Sequence, residues 1–230
     1  MKIKSNMFFK KIPLLFPIIQ IMLNFFSKIS FPGSEKYWET RYSRGGNSGP
    51  GSHGRLAEFK AEIINSFVEN NMINSVIDFG CGDGHQLSLF NFPNYVGLDV
   101  SKSAIKLCIR RFKEDKTKSF FLYDPECFDD KSSIFKADLS LSLDVIYHLI
   151  EDHIFGCYMK HLFSAANKYV IIYSSNINVD QSYKAPHVKQ RQFSKWIETN
   201  LSEWKLIKKI KNKYPNQSCA DFFIYKKVNK

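Results

Sequence analysis

Two short apolar runs joined through a glycine-rich loop narrow what this chain can fold into: Val76-Ile77-Asp78-Phe79-Gly80-Cys81-Gly82-Asp83-Gly84 and Tyr95-Val96-Gly97-Leu98-Asp99. The first run, from Ser75 to Phe79, is short, β-rich and uncharged until Asp78, the pattern of a strand buried on both faces of a parallel sheet. Gly80, Gly82 and Gly84 tolerate positive φ and carry no Cβ, so a ligand can lie directly against backbone. Asp99 follows Gly80 by 19 residues and ends the second strand, beside the first loop of an open α/β sheet. A carboxylate there can accept both hydroxyls of a ribose through charge-assisted bonds. The pair of runs therefore reads as one nucleoside pocket.

Nicotinamide-dependent enzymes carry a glycine triplet too, with the spacing G-x-G-x-x-G. In this chain His85 stands where the third of those glycines belongs, and the spacing is G-x-G-x-G behind Asp78. At this point the sequence resembles the class I S-adenosylmethionine (SAM) dependent methyltransferases. The resemblance implies SAM as cofactor, with Asp78, Gly80, Gly82 and Gly84 at its methionine end, Asp99 at its ribose, and Cys81 and Val100 among the cofactor-binding residues. A nicotinamide-dependent enzyme and a binding protein that has lost its chemistry remain the other classes.

Length and composition fit one enzyme domain, since 230 residues with 44% hydrophobic content can build one α/β core and leave no room for a second. The five cysteines, Cys81, Cys108, Cys127, Cys157 and Cys219, lack C-x-x-C spacing and read as reduced residues of a cytoplasmic protein, not metal ligands. The chain divides into a basic and apolar segment 1–33, an aromatic and glycine-rich segment 34–54, and a catalytic domain 55–230.

Periodicity predicts a helix over Arg55 to Asn70 with Leu56, Phe59, Ile63 and Phe67 on one face. Strands follow at 75–79 and 95–99 with a helix after Gly84 between them, then a helix capped by Ser101 and running to about Lys113. Strands at Lys118–Tyr123 and Asp138–Leu143, a helix over Glu151–Asn167, a strand at Tyr169–Ser174, a helix over Phe193–Leu201 and strands at Trp204–Ile210 and Ala220–Val228 complete the series. This alternation matches the Rossmann-like, seven-stranded α/β sheet of the resemblance, mostly parallel, with helices on both faces and an antiparallel last strand at the edge.

Open α/β sheets place their sites at the carboxyl ends of the strands. Asp124, in Tyr123-Asp124-Pro125, is either a contact to the adenine amine or plain turn chemistry. The segment Ser142-Leu143-Asp144-Val145-Ile146-Tyr147-His148-Leu149 corresponds to the family's fourth motif, which faces the cofactor methyl group and the acceptor. Leu143 is assigned to the cofactor, and Asp144, Tyr147 and His148 are the catalytic candidates. His148 is either a general base or a residue that merely packs, and Asp144 either orients it or caps the next helix. The run Gly45-Gly46-Asn47-Ser48-Gly49 is a linker or a lid, and in the lid reading Tyr37, Tyr42 and Asn47 touch cofactor or acceptor. The basic stretch Lys184 to Arg191 is a solvated loop or an anion clamp, with His187 and Arg191 as its acceptor-binding residues.

The net charge of +11 invites a nucleic-acid reading, drawn mainly from Lys205, Lys208, Lys209, Lys211 and Lys213. No recognition motif accompanies these lysines, and the Asn/Asp-Pro-Pro-Tyr/Phe motif of amino-methylating enzymes is missing after strand four, so nucleic acid ranks second to a small anionic acceptor. The apolar run Ile12 to Phe26, flanked by Lys10, Lys11 and Lys28, is too short to span a bilayer and is either a packed helix or a peripheral anchor on the inner face of the cytoplasmic membrane. The stretch from Tyr37 to Arg191 looks like small bacterial methyltransferases of surface-polysaccharide biosynthesis, which implies methylation of a capsule or glycan precursor such as a sugar, a sugar phosphate or a phosphoramidate group.

Overall fold

The computed structural model describes residues 31–179 and 185–228. The expectations for the amino-terminal segment 1–30, and for Lys184, fall outside these residues. In chain order the elements are α1 (Ser34–Ser43), α2 (Gly54–Asn70), β1 (Val76–Phe79), β2 (Tyr95–Asp99), α3 (Lys102–Arg111), β3 (Lys118–Leu122), β4 (Ala137–Leu143), α4 (Asp152–Ser164), β5 (Ala166–Ser174), α5 (Phe193–Asn200), β6 (Trp204–Ile210) and β7 (Asp221–Lys227). They form one seven-stranded sheet in the order β3-β2-β1-β4-β5-β7-β6.

The five strands from β3 to β5 pair in parallel, and β7 runs antiparallel to both β5 and β6. The last strand is antiparallel, as expected, but it lies one place in from the edge, which β6 occupies. Lys205, Lys208 and Lys209 are exposed on that edge, where charge discourages pairing with another sheet.

Strand alternation sends neighbouring apolar residues to opposite cores. Val76, Leu139, Leu141, Ile171 and Phe222 pack with Phe59, Ile64 and Val68 of α2 and Cys108 of α3. Ile77, Phe79, Val170, Ile172 and Phe223 pack on the other face with Tyr158, Met159 and Leu162 of α4 and Ile197 of α5. Each fully buried Val, Leu, Ile or Phe contributes about 1.5–3 kcal/mol, so the central strands are held from both sides.

The helix expected after Gly84 is absent. A single 3₁₀ turn, Leu87–Leu89, stands there, because only ten residues separate Gly84 from Tyr95 and Pro93 interrupts them. Gln86, Leu87, Phe90 and Phe92 are buried in this compact crossover. The helix α4 ends at Ser164, earlier than expected, and β5 begins at Ala166.

Ser101 caps α3 as its sequence position predicts: its Oγ accepts from the Ala104 amide at 3.1 Å. The same hydroxyl donates to Glu39 Oε2 at 2.7 Å, which ties α1 to the start of α3. Ser101→Ala removes both bonds from a fully buried position, and urea denaturation is expected to show a loss of about 1–3 kcal/mol. Unchanged stability would show that the hydroxyl anchors neither helix.

Candidate functional site

The carboxyl ends of β1, β2 and β4, with α1 across them, enclose a pocket of about 340 Å³. Asp78, Gly80, Cys81, Gly82, Asp99, Val100, Asp124 and Leu143 all line it, so the expected cofactor residues converge. Gly80 and Gly82 hold φ of 92° and 58°. A Cβ on Gly80 would stand 2.4 Å from Val145 Cγ2, and one on Gly82 would stand 2.4 Å from Ser48 Oγ, so both positions demand glycine. Gly84 does not line the pocket; it lets α3 close in, since a Cβ there would meet Phe112 at 2.9 Å and Cys108 Sγ at 3.0 Å.

The two aspartates differ in how they are bonded. Asp99 Oδ2 accepts from the Gly82 amide at 2.9 Å and its Oδ1 accepts from the Ser101 amide at 2.8 Å. Asp78 Oδ2 accepts from the Tyr95 hydroxyl at 2.9 Å, while Oδ1 is buried without a partner. An orphaned carboxylate oxygen against a glycine cradle fits the ammonium end of SAM. Burial pushes Asp78 up to about 7 and Asp99 up to about 6. Asp124 lines the pocket, and its Oδ1 accepts from the Glu126 amide at 2.9 Å in a turn.

After β4 the chain enters a left-handed residue, Asp144, with φ of 61°. Its side chain neither caps a helix nor reaches His148. Oδ2 takes an ion pair from Lys60 Nζ at 2.6 Å, and Oδ1 accepts from the Tyr147 hydroxyl at 2.7 Å. Tyr147 therefore faces Asp144 and lies outside the pocket lining, and burial keeps its phenol protonated. Lys60 is fully buried and lines the pocket, a residue that sequence reasoning passed over. Its signal was there: Lys60 sits four residues after Leu56 and four before Ile64, inside the apolar stripe of α2.

His148 does line the pocket. Its Nδ1 lies 2.8 Å from the His187 carbonyl oxygen, which can only accept, so Nδ1 carries the proton and Nε2 keeps the lone pair. Burial lowers the imidazole to about 4, so it is neutral at physiological pH. Trp38 meets the ring edge-on at 4.9 Å, and His187 stacks on it at 5.5 Å.

The segment expected to be a lid or linker contains α1, which crosses the pocket. Ser34 is held by Glu151 through its amide at 3.0 Å and its hydroxyl at 2.7 Å, and Glu39 is held by Ser101 and Ser103. Tyr42 lines the pocket with its hydroxyl 3.0 Å from Ser48 Oγ. Asn47 shapes the loop instead of facing the pocket: its carbonyl accepts from Arg41 Nε at 2.6 Å and its Oδ1 from the Gly49 amide at 2.9 Å. Tyr37 stacks on His187 at 4.8 Å. The expected anion clamp is not formed. Arg191 donates to the carbonyls of Leu149 and Ile150 and to Asp152, and its guanidinium lies over Phe155. Lys189 pairs with the same Asp152 oxygen at 2.6 Å, burial lowers the His187 imidazole, and neither Lys189 nor Arg191 lines this pocket.

Because Asp78 is partly protonated near neutrality and an ammonium favours its ionised form, S-adenosylhomocysteine affinity is expected to rise with pH up to about 7 and then level off, by at most about tenfold per pH unit. Calorimetric titration across that range checks this, and Asp78→Asn is expected to flatten the profile and weaken binding. A flat wild-type profile would contradict the assignment.

The methyltransferase domain family matches residues 52–209. The small RNA 2'-O-methyltransferase of Arabidopsis thaliana is 29% identical over 166 residues, which is 66% of this chain and 17% of that protein. Among solved structures, the N-methyltransferase NodS of Bradyrhizobium japonicum in complex with S-adenosyl-L-homocysteine superposes with a TM-score of 0.67 at 12% identity, covering 86% of this chain and 100% of that one. The magnesium protoporphyrin IX methyltransferase of Synechocystis with bound S-adenosylhomocysteine gives 0.59 at 14% identity, over 84% and 98% of the two chains. The methyltransferase domain of bacterial CtHen1-C gives 0.58 at 21% identity, over 76% and 100%. With an RNA enzyme among these relatives, the expectation that nucleic acid is an improbable partner is not supported. With its glycine loop, its paired aspartates and this match over most of its length, the chain belongs to the methyltransferase domain family.

Proposed function

We propose that the protein transfers a methyl group from SAM to a sugar hydroxyl, with His148 as the proton acceptor. SAM supplies an electrophilic methyl group on a sulfonium when bound. The chain has to align the hydroxyl in line with that group, exclude water and take up one proton. The observation that carries the reading is the bond from His148 Nδ1–H to the His187 carbonyl, which leaves Nε2 as a lone pair in a residue lining the pocket. As the oxygen attacks, its proton passes to Nε2. A base held near 4 suffices, because the hydroxyl proton becomes acidic as the new C–O bond forms. Trp38 and α1 keep water from the reacting atoms.

The acceptor reading follows from two likenesses. The sequence resembles methyltransferases of bacterial surface-polysaccharide biosynthesis, and the curated relative methylates the 2'-oxygen of small RNA. Both acceptors present a sugar hydroxyl. The small glycan precursor is preferred, since the basic edge at β6 is partly neutralised by Asp221, which pairs with Lys209 of the strand and with Lys211 just beyond it. The negative charge first expected of the acceptor loses its support with Arg191 engaged elsewhere. Among the described residues no helix is long and apolar enough to cross a membrane, and peripheral attachment through residues 1–30 is part of this proposal, not of the fold.

His148→Asn is expected to lower turnover by about 100-fold or more while S-adenosylhomocysteine affinity changes less than about twofold. At saturating SAM the wild-type turnover should stay flat from neutrality down to about pH 5, consistent with an imidazole lowered to about 4. Retained turnover in the variant would remove the base. Radiolabelled SAM offered with nucleotide sugars and, in parallel, with short RNA is expected to label the sugar fraction; label in RNA alone would overturn the choice of acceptor.

A further inference from the structure

Three buried polar groups in the pocket are left with bonding capacity that the protein does not use. Asp78 Oδ1 and Gln86 Oε1 have no hydrogen-bond partner, although their residues are only 5% and 8% exposed. Gln86 donates its amide nitrogen to the Ala57 carbonyl at 3.0 Å, and since that carbonyl can only accept, the free end is the oxygen. Lys60 is 0% exposed and carries three N–H donors; one hydrogen-bonds Asp144 Oδ2, the ammonium lies 5.3 Å from the centre of the Tyr173 ring, and among the described residues no second oxygen accepts from it. All three residues line the same pocket. Lys60 and the backbone partner of Gln86 both belong to α2, and the Lys60 charge is close enough to Asp78 to oppose the effect of burial on its carboxyl.

Unpaired acceptors and donors buried together are costly unless a ligand completes them. The ligand must offer donors to two oxygens, one of them a carboxylate, and an acceptor to an ammonium. A neutral nucleoside brings only uncharged acceptors to Lys60 and no ammonium to Asp78, and a simple anion brings no donors to Asp78 and Gln86. A zwitterion answers both.

We propose that Lys60 and Gln86 form, with Asp78, the recognition site for the zwitterionic amino-acid end of the cofactor. Gln86 Oε1 and Asp78 Oδ1 accept from its ammonium, and Lys60 Nζ donates to its carboxylate. The inference rests on the SAM reading above and adds two residues outside the glycine motif. Asp144 holds the lysine in place, so the left-handed residue after β4 acts on the cofactor through Lys60.

Calorimetry with three ligands tests this on the wild-type protein: S-adenosylhomocysteine, its decarboxylated analogue and methylthioadenosine, which lacks the amino-acid end altogether. Loss of the carboxylate, and then of the ammonium as well, is expected to cost about 10- to 100-fold at each step. Lys60→Met combined with Asp144→Asn, which leaves no unpaired buried charge, should lower affinity for S-adenosylhomocysteine by that factor and leave the decarboxylated analogue unaffected. Gln86→Met should weaken both of these ligands and spare methylthioadenosine. Equal wild-type affinity for S-adenosylhomocysteine and its decarboxylated analogue would overturn the role of Lys60, even where the double variant fails to fold. A Lys60 variant that binds S-adenosylhomocysteine normally but raises acceptor KM would overturn it too, by moving the lysine to the acceptor. If the wild-type protein binds none of the three ligands, the SAM reading itself fails.

Discussion

The pocket depends on one carboxylate, Asp99, whose two oxygens accept from the amides of Gly82 and Ser101. Through the first bond the end of β2 fixes the glycine loop that follows β1. Through the second it fixes the turn into α3. Ser101 then passes the constraint to Glu39 on α1, and the other end of α1 is held by Ser34 on Glu151, just before α4. The cover of the pocket and its floor are thus one hydrogen-bonded circuit. Bonds to charged groups of this kind contribute roughly 1.5–3 kcal/mol each, and they offset the cost of burying Asp99.

The electrostatics follow from the same closure. Asp78, Asp99 and Asp144 converge at the ends of three adjacent strands, and Lys60, fully buried, pairs with Asp144 and acts through its charge on Asp78. Burial raises the carboxyls of Asp78 and Asp99, with smaller repulsion from Asp99 on Asp78 and from Asp83 and Glu39 on Asp99, a setting suited to a ligand that brings its own positive charge. His148, by contrast, is held neutral by burial and oriented by a carbonyl, a setting suited to accepting a proton.

Much of this was legible in the sequence where local chemistry decides. The strand that carries Asp78, the glycines at positive φ, Asp99 at the next strand end and the Ser101 cap all lie within about 25 residues, and their spacing predicts where they stand in the fold. Misreadings arose where tertiary partners decide. The side chain of Asp144 was expected to serve the next helix or His148, yet its ion pair comes from Lys60, 84 residues earlier. Arg191 looked like a free clamp, yet the carbonyls at the start of α4 and Asp152 use its donors. The helix expected after Gly84 failed on length, because Pro93 and a short crossover left room for only one 3₁₀ turn. A lysine at the apolar spacing of α2 was the readable sign of the buried ion pair.

The central claim is that this pocket moves a methyl group onto a sugar oxygen. Its most direct test is carbon-13 NMR of the product formed from methyl-labelled SAM and the acceptor that becomes labelled. A methoxy carbon correlated with a sugar-ring proton is the predicted result; an N-methyl or S-methyl carbon would contradict the account.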